Sequence, residues 1–257
     1  LSLYHLALEL GVDFRFSEEV NEILHQEKKV KGVQTSKNEY EADIVISDMD
    51  IVPTYRKLLA DLKKPERTLN QERSSSALVF YWGIKNNYPE LKLHNIFFSD
   101  NYKEEFENLF EVMDIHNDPT IYINISSKES PEDVPEGHEN WFVMVNAPRN
   151  ENQDWEEITQ RTRKNIITKL SKILKKDVEK DIEAEYVLDP PEIESKTSSY
   201  KGSLYGSSSN SKFAAFLRHP NFSSRLEGLY FVGGSVHPGG GIPLCLQGAK
   251  ITASLIK

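Results

Sequence analysis

Residues 229–250 read LYFVGGSVHPGGGIPLCLQGAK, and this stretch decides the fold. It begins as a buried-type strand, continues through two glycines and a loop with three more glycines, and enters a predicted helix over residues 242–256. Glycines after a strand allow another backbone or a ligand to approach the main chain closely. A helix that starts directly afterwards points free N–H groups and a partial positive charge at the same place, which suits an anion or an electron-rich carbonyl. The glycines alone also fit a loop that only turns a corner.

The segments before this stretch predict an α/β (α+β) chain. Residues 20–35 predict a hairpin with Lys28 and Lys29 at its tip. Residues 13–16 and 40–47 predict further strands, the second covered on both faces, and residues 50–62 predict a helix. Aromatic-rich strands are predicted at residues 76–82, 95–98, 120–126 and 140–146, with a possible further strand at 178–187. We therefore expect a discontinuous domain, residues 1–62 and 201–257, and an inserted mixed-sheet domain, residues 63–200.

A long helix is predicted at residues 154–175, between the last two of these strands. Its apolar face repeats at helical spacing. The residues of that face are Trp155, Ile158, Thr162, Ile166, Leu170 and Ile173.

Composition excludes several classes of protein. The net charge of −9 argues against a nucleic-acid partner. A single cysteine, Cys245, permits neither an internal disulfide nor a Cys-based zinc site, and the seven histidines show no metal-ligand spacing. Asp48 and Asp50 raise the possibility of a metal, but helix capping by Asp50 is the better interpretation, so no metal site is expected. No apolar run reaches the ~18 residues of a membrane span, and residues 1–10 do not have the features of a signal peptide. The lack of disulfides fits a reducing compartment, and we expect a cytoplasmic protein.

The stretch at 229–250 also resembles a known family. Residues 229–232, Gly233, Ser235, residues 237–241 and Pro243 match the C-terminal signature of the bacterial-type phytoene (carotenoid) desaturases, members of the FAD-dependent amine-oxidase-like superfamily. The resemblance covers nearly the whole chain and is most specific at this end. It implies an incomplete FAD-binding Rossmann-like domain with an inserted substrate domain, FAD as cofactor, and an apolar polyene substrate that loses hydride to the flavin. It also implies possible peripheral contact with a membrane.

The resemblance assigns cofactor contacts to seven residues, mostly through their main chains. They are Val20 at the adenine, Gly233, Gly234 and Ser235 along the phosphate–ribityl part, and Gly240, Gly241 and Ile242 at the isoalloxazine edge. No catalytic side chain is identified. His237 is a weak candidate for a proton carrier, and a hydrogen-bonding structural role suits a His before Pro better.

One element of the family pattern is absent. The sequence Gly-x-Gly-x-x-Gly after a first strand occurs nowhere in the chain, and Gly239, Gly240 and Gly241 have the wrong spacing for it. The chain also begins at Leu1 inside a predicted helix. We therefore expect the larger C-terminal part of such an enzyme, inactive and weak in FAD binding by itself.

A group of aromatic residues in the middle segment is expected to line a long apolar tunnel. About half of its members are expected only to pack in the core. Its members are Phe80, Tyr81, Trp82, Phe97, Phe98, Tyr122, Trp141 and Phe142. Two alternatives to a desaturase stay open: a flavin-dependent carotenoid isomerase, and a non-catalytic isoprenoid-binding protein on the same fold.

Overall fold

The structure, a computed structural model, describes residues 2–208 and 218–256. Its strands are β1 (Val20–Gln26), β2 (Lys29–Thr35), β3 (Glu39–Glu41), β4 (Val45–Ser47), β5 (Ser76–Ile84), β6 (His94–Phe97), β7 (Ile121–Asn124), β8 (Glu139–Ala147), β9 (Ile182–Leu188) and β10 (Leu229–Phe231). Its α-helices are α1 (Ser2–Glu9), α2 (Ile51–Pro53), α3 (Glu66–Leu69), α4 (Tyr102–Glu107), α5 (Trp155–Leu174), α6 (Pro190–Thr197) and α7 (Ile242–Leu255). A π-helical turn, Thr54–Leu58, continues α2. Within these residues, no helix combines the length and the apolar composition needed to cross a bilayer.

The middle of the chain forms a five-stranded antiparallel sheet in the order β6-β7-β8-β5-β9. Alternate residues of a strand point to opposite faces, and on one face the side chains of Phe80, Trp82 and Trp141 are fully buried. Ile166 and Leu170 of α5 belong to the same hydrophobic cluster, so α5 covers this face. The opposite face carries the remaining alternate residues of each strand.

The first and last segments of the chain come together through a parallel pair of strands. β10 lies beside β4, with Leu229 opposite Val45 and Phe231 opposite Ser47. Parallel neighbours require a long crossover, and here the whole middle of the chain supplies it. A three-stranded sheet, β1-β2-β3, lies against the same region. The hydrophobic cluster that joins these elements includes Ile23, Val30, Leu59, Leu69, Leu226, Leu229 and Phe231.

A buried ion pair joins the segment before α2 to the segment before β5. The carboxylate of Asp50 pairs with the guanidinium of Arg73, and both side chains are almost fully buried. Asp50 also accepts a hydrogen bond from the main-chain N–H of Val52 at 3.0 Å, which confirms that it caps the helix. Arg73 donates to the hydroxyl of Ser203 at 3.1 Å. Burial lowers the pKa of Arg73, and the nearby Asp50 carboxylate opposes this effect.

Two strand predictions were wrong. Residues 13–16 form no strand, because Phe14 and Phe16 stack on each other and on Tyr4 of α1 instead of entering a sheet. Residues 40–47 are not one strand: β3 pairs with β2 and β4 pairs with β10, so the chain changes sheets between them. Ile46 on β4 is 49% exposed, so the predicted covering of both faces was also wrong.

The apolar face predicted for α5 is confirmed except at its end. Ile173 is 47% exposed, whereas Leu174 packs partly against the core. The last buried position before it is Leu170, and Leu174 follows by four residues where Ile173 follows by three. An α-helix has 3.6 residues per turn, so the side chain four residues after Leu170 lies closer to the buried face than the side chain three residues after it.

Candidate functional site

The glycine-rich turn lies directly after β10, as predicted, and leads into α7. The main-chain N–H of Val232 donates to the carbonyl of Ser47 at 3.0 Å, which continues the pairing with β4 to the start of the turn. Gly241 caps α7 with a φ of +94°, in the left-handed region that favours glycine. The N–H of Cys245 donates to the carbonyl of Gly241 as the first helical bond. The N–H of Ile242 therefore belongs to the free donors of the first turn.

Protein groups pack closely around the first part of this turn. A Cβ added to Gly240 would lie 2.6 Å from a ring carbon of Tyr205, and one added to Gly239 would lie 3.2 Å from Nε of Arg218. At Gly241, by contrast, an added Cβ would meet nothing within 4 Å. Packing within the protein thus accounts for the lack of side chains at Gly239 and Gly240. The open part of the turn is Gly241 and Ile242, whose side chain is 78% exposed.

Two adjoining cavities lie beside the first segment, and the smaller one also borders the glycine turn. A cleft of about 360 Å³ is lined by Val20, Val33, Ile46 and Asp48, among others. A smaller hollow of about 120 Å³ has Gly206, Gly234 and Ser235 in its wall. Asp48 and Thr197 line both cavities, so the two meet at these residues.

The predicted cofactor residues are thus only partly gathered around these cavities. Val20 lines the cleft, and Gly234 and Ser235 line the hollow. Gly233 adjoins them, since a Cβ there would lie 3.1 Å from the carbonyl oxygen of Asp48. Gly240, Gly241 and Ile242 line neither cavity. Gly240 is nevertheless a neighbour of the hollow, because a Cβ on Gly234 would lie 3.3 Å from its Cα.

The charges around the cavities are acidic. The cleft and hollow include the carboxylates of Glu19 and Asp48, and also that of Asp50, whose charge is balanced by Arg73. No Lys or Arg is among the described residues that line the two cavities. Asp48 is exposed, and its carboxylate makes no hydrogen bond with the described part of the chain. Carboxylates accept hydrogen bonds from hydroxyl groups and repel phosphates. The cavities therefore suit the sugar or polyol part of a ligand. Sequence reasoning considered Asp48 only for a metal, and no metal-binding group of His, Cys, Asp and Glu occurs in residues 2–208 and 218–256.

The side chain of Ser235 has a structural role. Its hydroxyl accepts a hydrogen bond at 3.0 Å from the main-chain N–H of Ile51, the first residue of α2. Ser235 is buried, so this bond fixes the glycine turn to the start of a helix on the first segment.

Arg218 anchors the turn through main-chain carbonyls. Its guanidinium donates to the carbonyls of Tyr205 at 2.8 Å, Gly234 at 3.1 Å and Ser207 at 3.0 Å. Burial lowers the pKa of Arg218, and the charge of Arg73 adds to the effect. These contacts hold the turn against the segment that contains Tyr205 and Ser207.

Two histidines stand at the turn in different environments. His237 is exposed; its N–H donates to the carbonyl of His219 at 2.9 Å, and its carbonyl accepts from Asn221 at 2.8 Å. His219 is buried between Tyr55 and Phe231, and burial lowers its pKa. Its Nδ1 lies 2.8 Å from the carbonyl of Pro220 and must donate there, so Nε2 accepts from the hydroxyl of Tyr55 at 3.2 Å. Sequence reasoning missed His219, because nothing local marks it as buried.

The aromatic group of the middle segment divides between the two faces of the five-stranded sheet. Phe80, Trp82, Trp141 and, in part, Phe97 pack in the core under α5. This agrees with the prediction that about half of the group serves as packing. Phe98, just past β6, is 65% exposed.

The other members lie away from α5. These members are Tyr81, Tyr122 and Phe142, and together with Tyr186 of β9, which the predicted group did not include, we call their side chains the aromatic face. Its ring pairs have centroid distances of 5.4 Å (Tyr81–Phe142), 5.9 Å (Tyr81–Tyr186) and 6.3 Å (Tyr122–Phe142). These rings are half-buried or exposed within the described residues. They therefore form an apolar surface that is available to a ligand.

Comparison with known proteins identifies several relatives. The chain is 59% identical over 255 residues to the 1-hydroxycarotenoid 3,4-desaturase of a Flavobacterium, covering 99% of this chain and 52% of that protein. It is 35% identical to the 4,4'-diapolycopene oxygenase of a Methylomonas, over 98% of this chain and 51% of that protein. A 4,4'-diaponeurosporene oxygenase of Staphylococcus aureus is also 35% identical, at 97% and 51% coverage. The chain thus spans about half the length of these relatives. No protein-family model matches it.

Solved structures agree with the predicted fold class. An oxidoreductase from Methanosarcina mazei superposes with a TM-score of 0.65 at 15% identity, over 98% of this chain and 52% of that one. Glycine oxidase from Bacillus cereus gives a TM-score of 0.53 at 16% identity, over 99% and 53%. These likenesses confirm the mixed α/β, partial Rossmann-like fold. The sequence relatives confirm the resemblance found at residues 229–243.

Proposed function

Because this chain belongs to the carotenoid desaturase family, we propose that it is part of an FAD-dependent enzyme that dehydrogenates a carotenoid. The observation that carries the proposal is the 59% identity to a 1-hydroxycarotenoid 3,4-desaturase along 99% of the chain. Relatives named as oxygenases stand at 35%, which favours desaturation over oxygenation. The same comparison favours an oxygenated carotenoid over phytoene as substrate.

The proposed cofactor site follows the two cavities and the open end of the turn. The cleft beside Val20 would hold the adenosine part, and the hollow beside Gly234 and Ser235 would hold the ribityl hydroxyls, with Asp48 accepting hydrogen bonds between them. Gly241 and the N–H of Ile242 would face the ring edge, since a Cβ added to Gly241 would meet no atom of residues 2–208 and 218–256 within 4 Å. Gly233 and Gly240 support these contacts by close packing of the main chain.

These residues fit the sugar and ring parts of FAD and do not fit its pyrophosphate. The acidic cavities have no cation in their described walls, and the Gly-x-Gly-x-x-Gly sequence is absent. We therefore expect this chain alone to bind FAD weakly and to be inactive. Groups outside the two cavities would have to neutralise the phosphates.

The chain's own contribution to the reaction would be positioning and exclusion of water. FAD, when bound, supplies the acceptor for the hydride that leaves the substrate. The aromatic face would hold the polyene by apolar and ring contacts, while Arg218 and Ser235 keep the turn in place. No nucleophilic side chain is required.

The proposal includes a division of the chain and a location. Residues 1–62 and 201–257 would carry the cofactor, and residues 63–200 would carry the substrate. Two separate hydrophobic clusters support this division except at its boundary, where Leu69 packs with the first and last segments. A cytoplasmic protein at the membrane surface is part of the proposal, because a polyene substrate dissolves in lipid.

The mass of the product distinguishes a desaturase from an oxygenase, an isomerase and a non-catalytic binding protein. The intact protein, loaded with FAD, is incubated with an acyclic hydroxylated carotene in detergent micelles, and the products are analysed by mass spectrometry. A desaturase yields a product lighter by two hydrogens, an oxygenase adds oxygen, and an isomerase leaves the mass unchanged. A protein that binds the carotene without converting it, and does not bind FAD, would be the non-catalytic isoprenoid carrier.

A matched pair of glycine variants tests the cofactor site. Gly241 and Gly137 both have positive φ, +94° and +78°, and a Cβ on either meets nothing within 4 Å. Gly241→Ala, at a φ of +94° and ψ of 146° that other residues rarely adopt, should cost the intact protein about 2 kcal/mol of stability, and Gly137→Ala should cost about 1 kcal/mol. Only Gly241→Ala should weaken FAD binding, measured by quenching of flavin fluorescence. Equal FAD affinity in the two variants would remove Gly241 from the site.

A further inference from the structure

One member of the aromatic face, Tyr186, is hydrogen-bonded to α6. It lies on β9, at the edge of the five-stranded sheet, opposite Tyr81 of β5. The hydroxyl of Tyr186 donates to the carboxylate of Glu192 and accepts from the ammonium group of Lys196, and both partners belong to α6. α6 therefore lies on the same side of the sheet as the aromatic face. It packs against β5, where Val79 is buried and Tyr81 is exposed, so it borders the exposed part of that face.

The end of α6 also reaches the proposed cofactor site. Thr197, its last residue, lines both the cleft and the hollow, and Ser198 lines the cleft. Consecutive Cα atoms are ~3.8 Å apart, so the main chain of Lys196 is directly beside the wall of the two cavities. We call the side chains of Tyr186, Glu192 and Lys196 the α6 polar group. It stands where the aromatic face and the cofactor cavities come closest to α6.

The α6 polar group retains hydrogen-bonding capacity. An ammonium group has three donors, and in the described part of the chain that of Lys196 uses two, one for the hydroxyl of Tyr186 and one for Oε1 of Glu192 at 2.8 Å. Tyr186 also donates to Oε1, so Oε2 of Glu192 has no partner among residues 2–208 and 218–256. All three side chains are exposed or half-buried. The group thus offers a charged donor and a charged acceptor side by side, and an alcohol can use both because its O–H donates and its oxygen accepts.

We propose that the α6 polar group binds a hydroxyl at the end of the polyene that lies nearer to the cofactor, with Lys196 donating to the oxygen and Glu192 accepting the proton. The inference rests on the proposed function, since it assumes a polyene on the aromatic face and a flavin at the two cavities. Tyr186 would position both charged side chains through its hydroxyl. The hydroxyl and the bond that is dehydrogenated would therefore lie in the same half of the substrate.

The main experiment measures binding. The intact FAD-loaded protein in detergent micelles is given two probes: an acyclic carotene with a hydroxyl at one end only, and the same carotene without it. Binding is followed by quenching of protein fluorescence, to which Trp82 and Trp141 on the other face of the sheet contribute. Hydrogen bonds to charged groups are stronger than those between neutral groups, so the hydroxylated probe should bind about tenfold more tightly.

A pair of double variants tests the residues. Glu192→Met with Lys196→Met removes the donor and the acceptor together and leaves no unpaired charge, so it should bind both probes equally. Lys103→Met with Glu107→Met removes an ion pair four residues apart on α4 and is the matched control, which should keep the preference. Circular dichroism and denaturation curves check that each variant folds. The position of the new double bond in the product of the hydroxylated probe, determined by NMR, should lie in the half that carries the hydroxyl.

The outcomes separate this inference from the proposed function. Equal binding of the two probes by the natural protein would overturn the inference alone. So would a preference that survives the loss of Glu192 and Lys196, a preference that is lost in the α4 control, or a new double bond in the half without the hydroxyl. Failure of both probes to bind would overturn the proposed function and the inference with it.

Discussion

Replacing Arg73 by Met should destabilise the protein strongly, because it leaves a buried carboxylate without its counter-charge. The side chain of Asp50 is 6% exposed, and without Arg73 it keeps only N–H donors from Val52 at 3.0 Å and Tyr200 at 3.4 Å. Removal of one partner of a buried pair costs about 3–5 kcal/mol. The loss should appear in the free energy of unfolding measured by urea denaturation.

A double-mutant cycle separates the ion pair from other effects of the substitution. Asp50→Asn retains a capping side chain but leaves Arg73 unpaired, whereas the double variant removes both charges. We expect the double variant to be less destabilised than the sum of the single variants by at least about 2 kcal/mol. Arg67→Met, on an exposed residue of α3, is the control and should change stability by less than about 0.5 kcal/mol. The reasoning is refuted if Arg73→Met costs no more than the control, or if the single effects simply add.

Three further predictions concern the glycine turn and its support, all measured by denaturation. The folded-state pKa of His219 is lowered by burial, so below its unfolded value of about 6.5 the unfolded chain binds the proton more readily and stability falls. When the pH is lowered from about 8 to about 5.5, the free energy of unfolding should therefore fall less in the His219→Gln variant than in the natural protein. Equal decreases would contradict the lowered pKa of His219. Gly206→Ala should cost more than about 2 kcal/mol of stability, because its Cβ would lie 2.6 Å from Cα of Ser235. Gly11→Ala, whose Cβ would lie in open space, should cost about 1 kcal/mol. Similar costs for the two variants would contradict the close packing at Gly206. Ser235→Ala should cost about 1 kcal/mol by leaving the N–H of Ile51 unpaired, and an unchanged stability would show that the hydroxyl is not needed.

The sequence predicted the middle sheet well because its signals are local. β8 alternates between buried and half-buried residues along its whole length, and β5 alternates between buried and less buried residues from Phe80 to Ile84. The aromatic and β-branched residues of both strands identify them without knowledge of their partners. The same holds for α5, whose stripe of apolar residues repeats at helical spacing. The strand, glycines and helix of residues 229–255 were recognised for the same reason, and the family resemblance rested on this stretch.

The features that the sequence did not predict depend on residues far apart in the chain. The run at residues 40–47 gives no sign that β3 and β4 join different sheets. Tyr205 packs closely against Gly240, and Arg218 donates a hydrogen bond to the carbonyl of Gly234. Each contact requires the fold to be known, since no local pattern predicts which distant side chain fills a turn.

Close packing around the glycine turn limits the places where a flat ring could bind. Glycine at Gly239 and Gly240 is explained by protein contacts, so those two residues argue neither for nor against a ligand. Gly241 differs, because its conformation has a backbone cost for any other residue and a Cβ there would meet nothing within 4 Å in the described part of the chain. The structural case for a ring at the start of α7 therefore depends on Gly241. The acidic cleft beside Val20 is a separate argument for the binding of sugar hydroxyls, and this argument does not depend on Gly241.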